Sequence, residues 1–328
     1  MKYIYIINGR ADKTPHYKDF YAQLKEIPHA YVVYTTLGEG DATRYVRLYC
    51  DLHPEEEVCF VACGGNGIIN GVASGLVGYA TSSEEAALLC ANKTMAILYF
   101  GGATQDIIVN FPGRDFQSIK DMLDGTVTPT DIIQVNDSFC LNVCNLGFNS
   151  TVASRANELV AEGKSAHQAY TRGVINAFLT TRFNRIKVKV DGKPIARGRM
   201  VLCTVANGRR VGGEFNCAPD AKLDDGLMDV CYFRAMSLLR LLLLFPLYRS
   251  GTHIGSRAGG KKVLYRQARE VTISSKDLID IYIDGEQLPG SQFQLKMLPG
   301  ALPLRLPRQS MRASATINHQ KCILKERR

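Results

Sequence analysis

The sequence predicts two domains, an α/β domain followed by a β-sandwich, and three observations carry that prediction. Short apolar runs alternate with segments of helical length over residues 1–124. From residue 125 onward, short strands with hairpin breaks take over. At 328 residues the chain is long for one domain and comfortable for two.

In the first part, residues 3–7, 30–34, 58–63 and 95–100 read as strands, each short, rich in β-branched or aromatic residues, and ended by Gly or a polar residue. Between them, residues 17–25, 42–52 and 68–78 have helical length. Strands alternating with helices predict a parallel sheet covered on both faces. In the second part, residues 132–135, 139–145, 185–190, 200–206, 228–233, 270–274 and 279–283 read as short strands. Asp191-Gly192 and Asp284-Gly285 are the clearest hairpin turns among them. One helical segment, residues 152–181, interrupts the series. Residues 293–306 form a last strand candidate, whose domain periodicity alone does not settle.

Composition narrows the function. Apolar content of 46% with 22% charged residues is that of an ordinary globular protein. The apolar N-terminal run reads as a buried first strand rather than a secretory signal. The most hydrophobic stretch, residues 238–248, is about half the 20 residues a membrane span needs. It reads as a core or surface helix, or as an apolar lip that touches lipid, and Arg249, His253, Arg257, Lys261 and Lys262 put positive charge beside it. The ten cysteines form no Cys-x-x-Cys pair and lie mostly in apolar runs, so they read as reduced thiols of a cytoplasmic protein. Net charge is 40 − 31 = +9, of which residues 308–328, with six Lys/Arg and one Glu, supply more than half. An excess held by a basic, disordered tail argues against nucleic acid as the partner.

Three local motifs carry chemistry. Strand 58–63 runs into Gly64-Gly65-Asn66-Gly67 and then a helix, where glycines and free amides could cradle a phosphate or simply make a tight turn. The spacing fits neither the dinucleotide fingerprint nor the P-loop. Residues 221–229 place Asp224, Asp225 and Asp229 within six residues, a source of hard oxygen ligands or an Asp/Gly turn before a strand. Ile283-Asp284-Gly285-Glu286 ends a strand in a turn.

Read together and in order, Gly-Gly-x-Gly-x-x-Asn, Asn207-Gly208 with Gly212-Gly213, the run from Ala218 to Asp229, and Asp284-Gly285-Glu286 resemble the diacylglycerol kinase catalytic-domain family in its bacterial lipid kinase branch. Thr36 with Gly40-Asp41-Ala42, Asn145-Leu146-Gly147-Phe148 and Leu298-Pro299-Gly300-Ala301 add to the match, which spans residues 3–307. The resemblance implies a two-domain diacylglycerol/NAD kinase-like fold with ATP in the cleft between the domains. It also implies that residues 293–307 return to the first domain, leaving 125–292 as the lipid domain. The implied activity is transfer of the γ-phosphoryl group of ATP to the hydroxyl of a membrane lipid such as diacylglycerol. By position, Thr36, Gly64, Gly65, Asn66, Gly67, Ile68, Ile69, Asn70, Ala103 and Asp106 would line the nucleotide. Asp225 with the backbone carbonyls of Lys222 and Leu227 would hold Mg²⁺, and Glu286 would be the catalytic base. The same resemblance implies peripheral contact with the inner face of the membrane, and it leaves a homodimer open.

The chain departs from the family at the nucleotide. The loop that normally reads Gly-Gly-Asp-Gly-Thr is here Gly64-Gly65-Asn66-Gly67-Ile68, and Gly-Thr-x-Asn-Asp is Gly102-Ala103-Thr104-Gln105-Asp106. Asn66 loses a negative charge and Ile68 loses a hydroxyl. Two readings therefore stand: a kinase with altered nucleotide handling, and a lipid- or nucleotide-binding protein without turnover. The related NAD kinases share the glycine loop, but the two Asp-rich elements fit the lipid branch better.

Overall fold

The computed structural model describes residues 1–9, 17–99, 106–147, 158–159, 162, 172, 185–213 and 215–309. Most of the helix expected over residues 152–181, and nearly all of the basic tail, lie outside these residues. Two compact units divide the chain. One comprises residues 1–102, 108–130 and 301–328, the other residues 103–107 and 131–300.

In the first unit the sheet is parallel. Strands β1 (Lys2–Ile7), β2 (Tyr31–Thr35), β3 (Val58–Cys63) and β4 (Lys93–Leu98) lie in the order β4-β3-β1-β2. Strand β3 is buried along its whole length, as expected of a central parallel strand with helices on both faces. Helices α1 (Tyr17–Leu24), α2 (Asp41–Leu52), α3 (Asn66–Val77), α4 (Ser83–Leu89) and α5 (Ile119–Leu123) connect or cover the strands. α4 and α5 escaped the sequence reading because each is under two turns, too short for a 3.6-residue period to show. Both instead carry a serine N-cap: Ser82 accepts from Glu85 N–H and Ser118 from Asp121 N–H. Gly71 and Gly75 let α3 approach α2 closely, since a Cβ on Gly75 would stand 2.7 Å from Val46 Cβ.

The second unit is antiparallel. It contains β6 (Ser138–Cys140), β7 (Val143–Gly147), β8 (Arg185–Val190), β9 (Lys193–Ala206), β10 (Met228–Arg234), β11 (Val263–Ala268) and β12 (Glu270–Ile283). Two strands bridge the units' ranges, β5 (Thr126–Val135) and β13 (Glu286–Leu306). The long strands β9 and β12 each pair with β8 along one part and with β7 along another. Residues 270–274 and 279–283, read as separate strands, are one strand interrupted by an irregularity between Ser274 and Ile279. Alternate residues fill the core: Ile186, Val188 and Val190 of β8 face Val271, Ile273, Phe293, Leu295 and Met297. In the first unit, Leu304 and Arg305 of β13 pair in parallel with Met95 and Ala96 of β4.

Helix α6 (Leu238–Ser250) follows β10, capped by Ser237 and ended by Gly251 at φ 82°. It packs Leu241, Leu244 and Tyr248 on Phe215, Cys231 and Phe233. His253 does not contribute the surface charge expected of it. It is fully buried among Phe233 and Tyr248, and burial pushes its imidazole down to about 4, so it is neutral at pH 7. Among the described residues no helix is long and apolar enough to cross a membrane. The nine described cysteines are free, and all but Cys50 are buried.

Candidate active site

The site residues of the first unit gather at the carboxyl ends of its parallel strands, where open α/β sheets place ligand loops. β1 ends at Ile7, whose carbonyl accepts the N–H of Thr36 at 2.9 Å. Gly9 lies so near the Thr36 carbonyl that a Cβ would stand 2.6 Å from its oxygen. Gly9 is a position the sequence reading did not single out, and its only signal was an Asn-Gly pair at the end of a strand. Thr36 itself is buried. The loop after it is anchored by Asp41, which accepts from Leu37 N–H at 2.9 Å and from the Tyr34 hydroxyl at 2.8 Å. The Leu37 amide, then Tyr34 and Arg44, overcome burial and hold this carboxyl below the usual range.

Gly64 closes β3 at φ 153° and Gly65 opens α3, with no atom within 4 Å of a Cβ built on Gly65. An open backbone at a helix N-terminus can take an anion. Asn66 is the first residue of α3, and no side chain caps the helix at Gly65. Ile68 turns inward instead: its side chain is buried and lies 3.5 Å from the Cβ position of Gly64. Ile69 and Asn70 are also buried, and Asn70 accepts from the Ser74 hydroxyl at 3.1 Å. Of the predicted nucleotide set, then, Gly65, Asn66 and Gly67 form the accessible part of the loop, Gly64 is buried with its N–H on the Leu98 carbonyl, and Ile68, Ile69 and Asn70 support the loop from behind. Ala103 lies outside the described residues.

Of the carboxylates in the second unit that accept backbone amides, Asp106, Asp131 and Asp284 hold the segments that carry the motifs. Asp106 is buried and accepts from Gly212 N–H at 3.1 Å and Gly213 N–H at 2.6 Å. Both glycines have positive φ, so consecutive amides converge on one carboxylate. Asp106 thus holds a turn of its own unit, a role its position in the nucleotide motif did not suggest.

Asp131 is the second. Its carboxylate accepts from Gly226 N–H and Gly300 N–H, each at 2.7 Å, and its own N–H donates to the Leu223 carbonyl at 2.7 Å. The acidic loop and the Leu298-Pro299-Gly300 segment are therefore tied to one residue. Gly226 has φ 70°, and a Cβ there would touch Pro299. Burial pushes Asp131 up, the two amides pull it down, and Asp225 and Asp224 push it up again. No sequence motif pointed to it.

Asp284 is the third, at φ 49°. It accepts from Leu141 N–H at 2.7 Å, Asn142 N–H at 3.0 Å and Val143 N–H at 2.9 Å. This pins the β6–β7 turn under the Asp284-Gly285-Glu286 hairpin and leaves Glu286 exposed as the first residue of β13. The same turn continues the network. The Asn142 carbonyl accepts from Asn207 and Gly208 N–H, and the Asn207 amide reaches the Asp131 carbonyl at 2.8 Å. Hydrogen bonds thus connect the hairpin bearing Glu286 with the loop bearing Asp225.

Asp225 is half-buried, and its carboxylate accepts Leu227 N–H at 3.1 Å. Among the described residues no group of three or more His, Cys, Asp or Glu side chains could hold a metal. The expected ligands, one carboxylate with the Lys222 and Leu227 carbonyls, are instead a mostly backbone oxygen set, which suits a hard cation. Charge favours one as well: Asp225 pushes up both Asp131 and Asp229.

A sequence profile for the YegS C-terminal NAD kinase beta sandwich-like domain matches residues 142–306, half of the chain. The chain belongs to the YegS-like family. A relative from Enterobacter sp. (strain 638), named "Probable lipid kinase YegS-like", is 26% identical over 92% of this chain and 95% of its own. One of the same name from Pseudomonas aeruginosa is 27% identical over 93% and 94%. A solved structure of a diacylglycerol kinase from Bacillus anthracis has a TM-score of 0.64 at 18% identity, covering 93% of this chain and 96% of that one. This YegS-like chain has the two-domain diacylglycerol/NAD kinase-like fold, with a large β-sheet second domain.

Proposed function

We propose that this YegS-like chain is an ATP-dependent lipid kinase that transfers the γ-phosphoryl group to the hydroxyl of a membrane lipid such as diacylglycerol. The observation that carries the proposal is the Asp284 hairpin. A carboxylate bound by three backbone amides builds a rigid turn whose next carboxylate, Glu286, stands exposed at its edge. An alcohol is a poor nucleophile at pH 7, and a positioned carboxylate that accepts its proton supplies about 10²–10⁴-fold. The relatives' names and the fold agree with that chemistry.

The remaining barrier in phosphoryl transfer is lowered by alignment and by positive charge around the phosphates. In this reading the backbone of Gly65–Gly67, at the start of α3, faces the nucleotide phosphates and Thr36 lies at its edge. A Mg²⁺ held by Asp225 and the Lys222 and Leu227 carbonyls would supply positive charge that offsets the surrounding carboxylates. Asp131, through its bonds to Gly226 and Gly300, holds that loop in shape. Glu286 takes the proton of the acceptor hydroxyl. Peripheral work at the inner face of the membrane follows from a lipid acceptor.

The second reading, binding without turnover, draws on Ile68. Its aliphatic side chain packs against Gly64 where the family places a hydroxyl. One experiment separates the two: transfer of labelled γ-phosphate from ATP to a mixed bacterial lipid extract with Mg²⁺, comparing the wild type with Glu286→Gln. Label in an organic-soluble product that disappears in the variant supports the kinase and identifies the acceptor. No transfer by the wild type across several lipids, donors and divalent metals sinks it in favour of the binding protein.

A further inference from the structure

We infer that the outer face of α6 docks on an anionic lipid bilayer. The helix is apolar on both sides. Leu241, Leu244 and Tyr248 point into the core, as an amphipathic surface helix requires. On the opposite side, Leu239 is 71% exposed, Leu243 60% and Leu242 50%, with Pro246 exposed one turn on. At 100° per residue these four positions form one stripe about 100° wide, the width of a buried apolar face. A helix that is hydrophobic all round belongs inside a protein or against lipid, yet half of this one faces outward.

The charge around the stripe selects the occupant. Residues 230–269 hold eight Lys/Arg and neither Asp nor Glu. Residues 1–307 together carry +4, so outside this segment they sum to −4. The basic groups are brought to the helix by contacts: Arg240 Nε donates to the Ala258 carbonyl at 3.0 Å and its guanidinium lies 3.8 Å from the Cβ position of Gly260. The loop bearing Arg257 and Lys261, both exposed, therefore runs beside α6, and Arg249 is exposed in its last turn. An uncharged apolar stripe rimmed by positive charge matches the acyl boundary and phosphate plane of an anionic leaflet. A protein partner would need acidic groups and a shaped surface, and nothing at the site selects for a shape.

The inference goes beyond the kinase reading and stands without it, because docking requires no turnover. The test uses the full chain with vesicles of phosphatidylcholine alone or with about one-third phosphatidylglycerol. The wild type is expected to co-sediment with the anionic vesicles. The triple variant Leu239→Gln, Leu242→Gln, Leu243→Gln should lose at least about tenfold in partition, because three exposed leucines are removed from the lipid contact. Arg249→Gln, Arg257→Gln and Lys261→Gln should each cost about fivefold at low salt. As the sequence contains no tryptophan, Leu243→Trp adds a single reporter at an exposed position. Its emission should shift to the blue with anionic vesicles, and this remains informative if the triple variant fails to fold. An unshifted Leu243→Trp spectrum, or vesicle binding carried by the C-terminal basic segment and indifferent to the leucine changes, overturns the inference. Docking through α6 without phosphoryl transfer sinks the kinase reading alone.

Discussion

Asp284 Oδ1 accepts the backbone N–H of Val143 at 2.9 Å, and the Asp284 N–H donates back to the Val143 carbonyl at 3.1 Å. This reciprocal pair, with the amides of Leu141 and Asn142, makes the hairpin before Glu286 an anchored element rather than a loose turn. Asp284→Asn keeps a residue that tolerates positive φ but removes the charge that the amides share. Its expected cost is about 2 kcal/mol by urea denaturation, within the range for bonds to a charged group. Glu286→Gln, at an exposed position, should change stability by less than about 0.5 kcal/mol. Equal denaturation midpoints for Asp284→Asn and the wild type would show that the amides do not depend on the carboxylate.

Asn66 opens α3 beneath the glycine loop without a side-chain cap at Gly65. Asn66→Asp places a negative charge at the positive end of the helix, so stability should rise by about 0.3–1 kcal/mol. Turnover with Mg²⁺·ATP should rise as well if the lost charge limits the reaction. A thermal melt and the labelled-phosphate assay read the two effects separately. Stability gained with turnover unchanged would show that the loop works with Asn.

Gly75 packs against α2, and a Cβ would meet Val46 Cβ at 2.7 Å and the Thr43 carbonyl oxygen at 2.8 Å. Backbone and a β-branched side chain cannot swing away, so Gly75→Ala should destabilise by about 1–3 kcal/mol despite its better helix propensity. A neutral or stabilising result would mean that the two helices can separate freely.

Asp229 and His253 oppose each other in acid. Burial raises the Asp229 carboxyl to about 6 against the Tyr265 hydroxyl that donates to it. Its contribution is full below the unfolded value of about 3.9 and lost as pH rises through 6. His253, lowered to about 4, contributes above about 6.5 and loses that contribution as pH falls toward 4. Across roughly pH 4–6 the two slopes nearly offset. Asp229→Asn removes the falling slope. The stability of the variant relative to the wild type should therefore climb with pH through this window, and a difference that stays constant from pH 4 to 7 would contradict the assignment.

How much of this was legible in the sequence depended on the range of the interaction. β3 and β8 match the sequence reading end to end, because a buried run and a strict alternation are written in adjacent residues. The Asp191-Gly192 and Asp284-Gly285 turns, with both residues at positive φ, were legible for the same reason. The glycine loop, the acidic loop and the final hairpin could be picked out as candidates, since each motif is contiguous. β11, by contrast, was missed because its outer residues are only partly buried and leave a weak pattern.

The sequence by itself determined the order of elements, the two kinds of sheet and the family to which the motifs point, because periodicity and turn chemistry act within a few residues. Only the tertiary structure decided which acids serve the backbone. Asp131 reaches Gly226 and Gly300, Asp106 reaches Gly212 and Gly213, and Asp284 reaches back to residues 141–143. Folding alone also sorted the charged flank of α6, burying His253 and leaving Arg249, Arg257 and Lys261 exposed. Burial and long-range hydrogen bonds depend on what the rest of the chain brings alongside, and no local pattern records that.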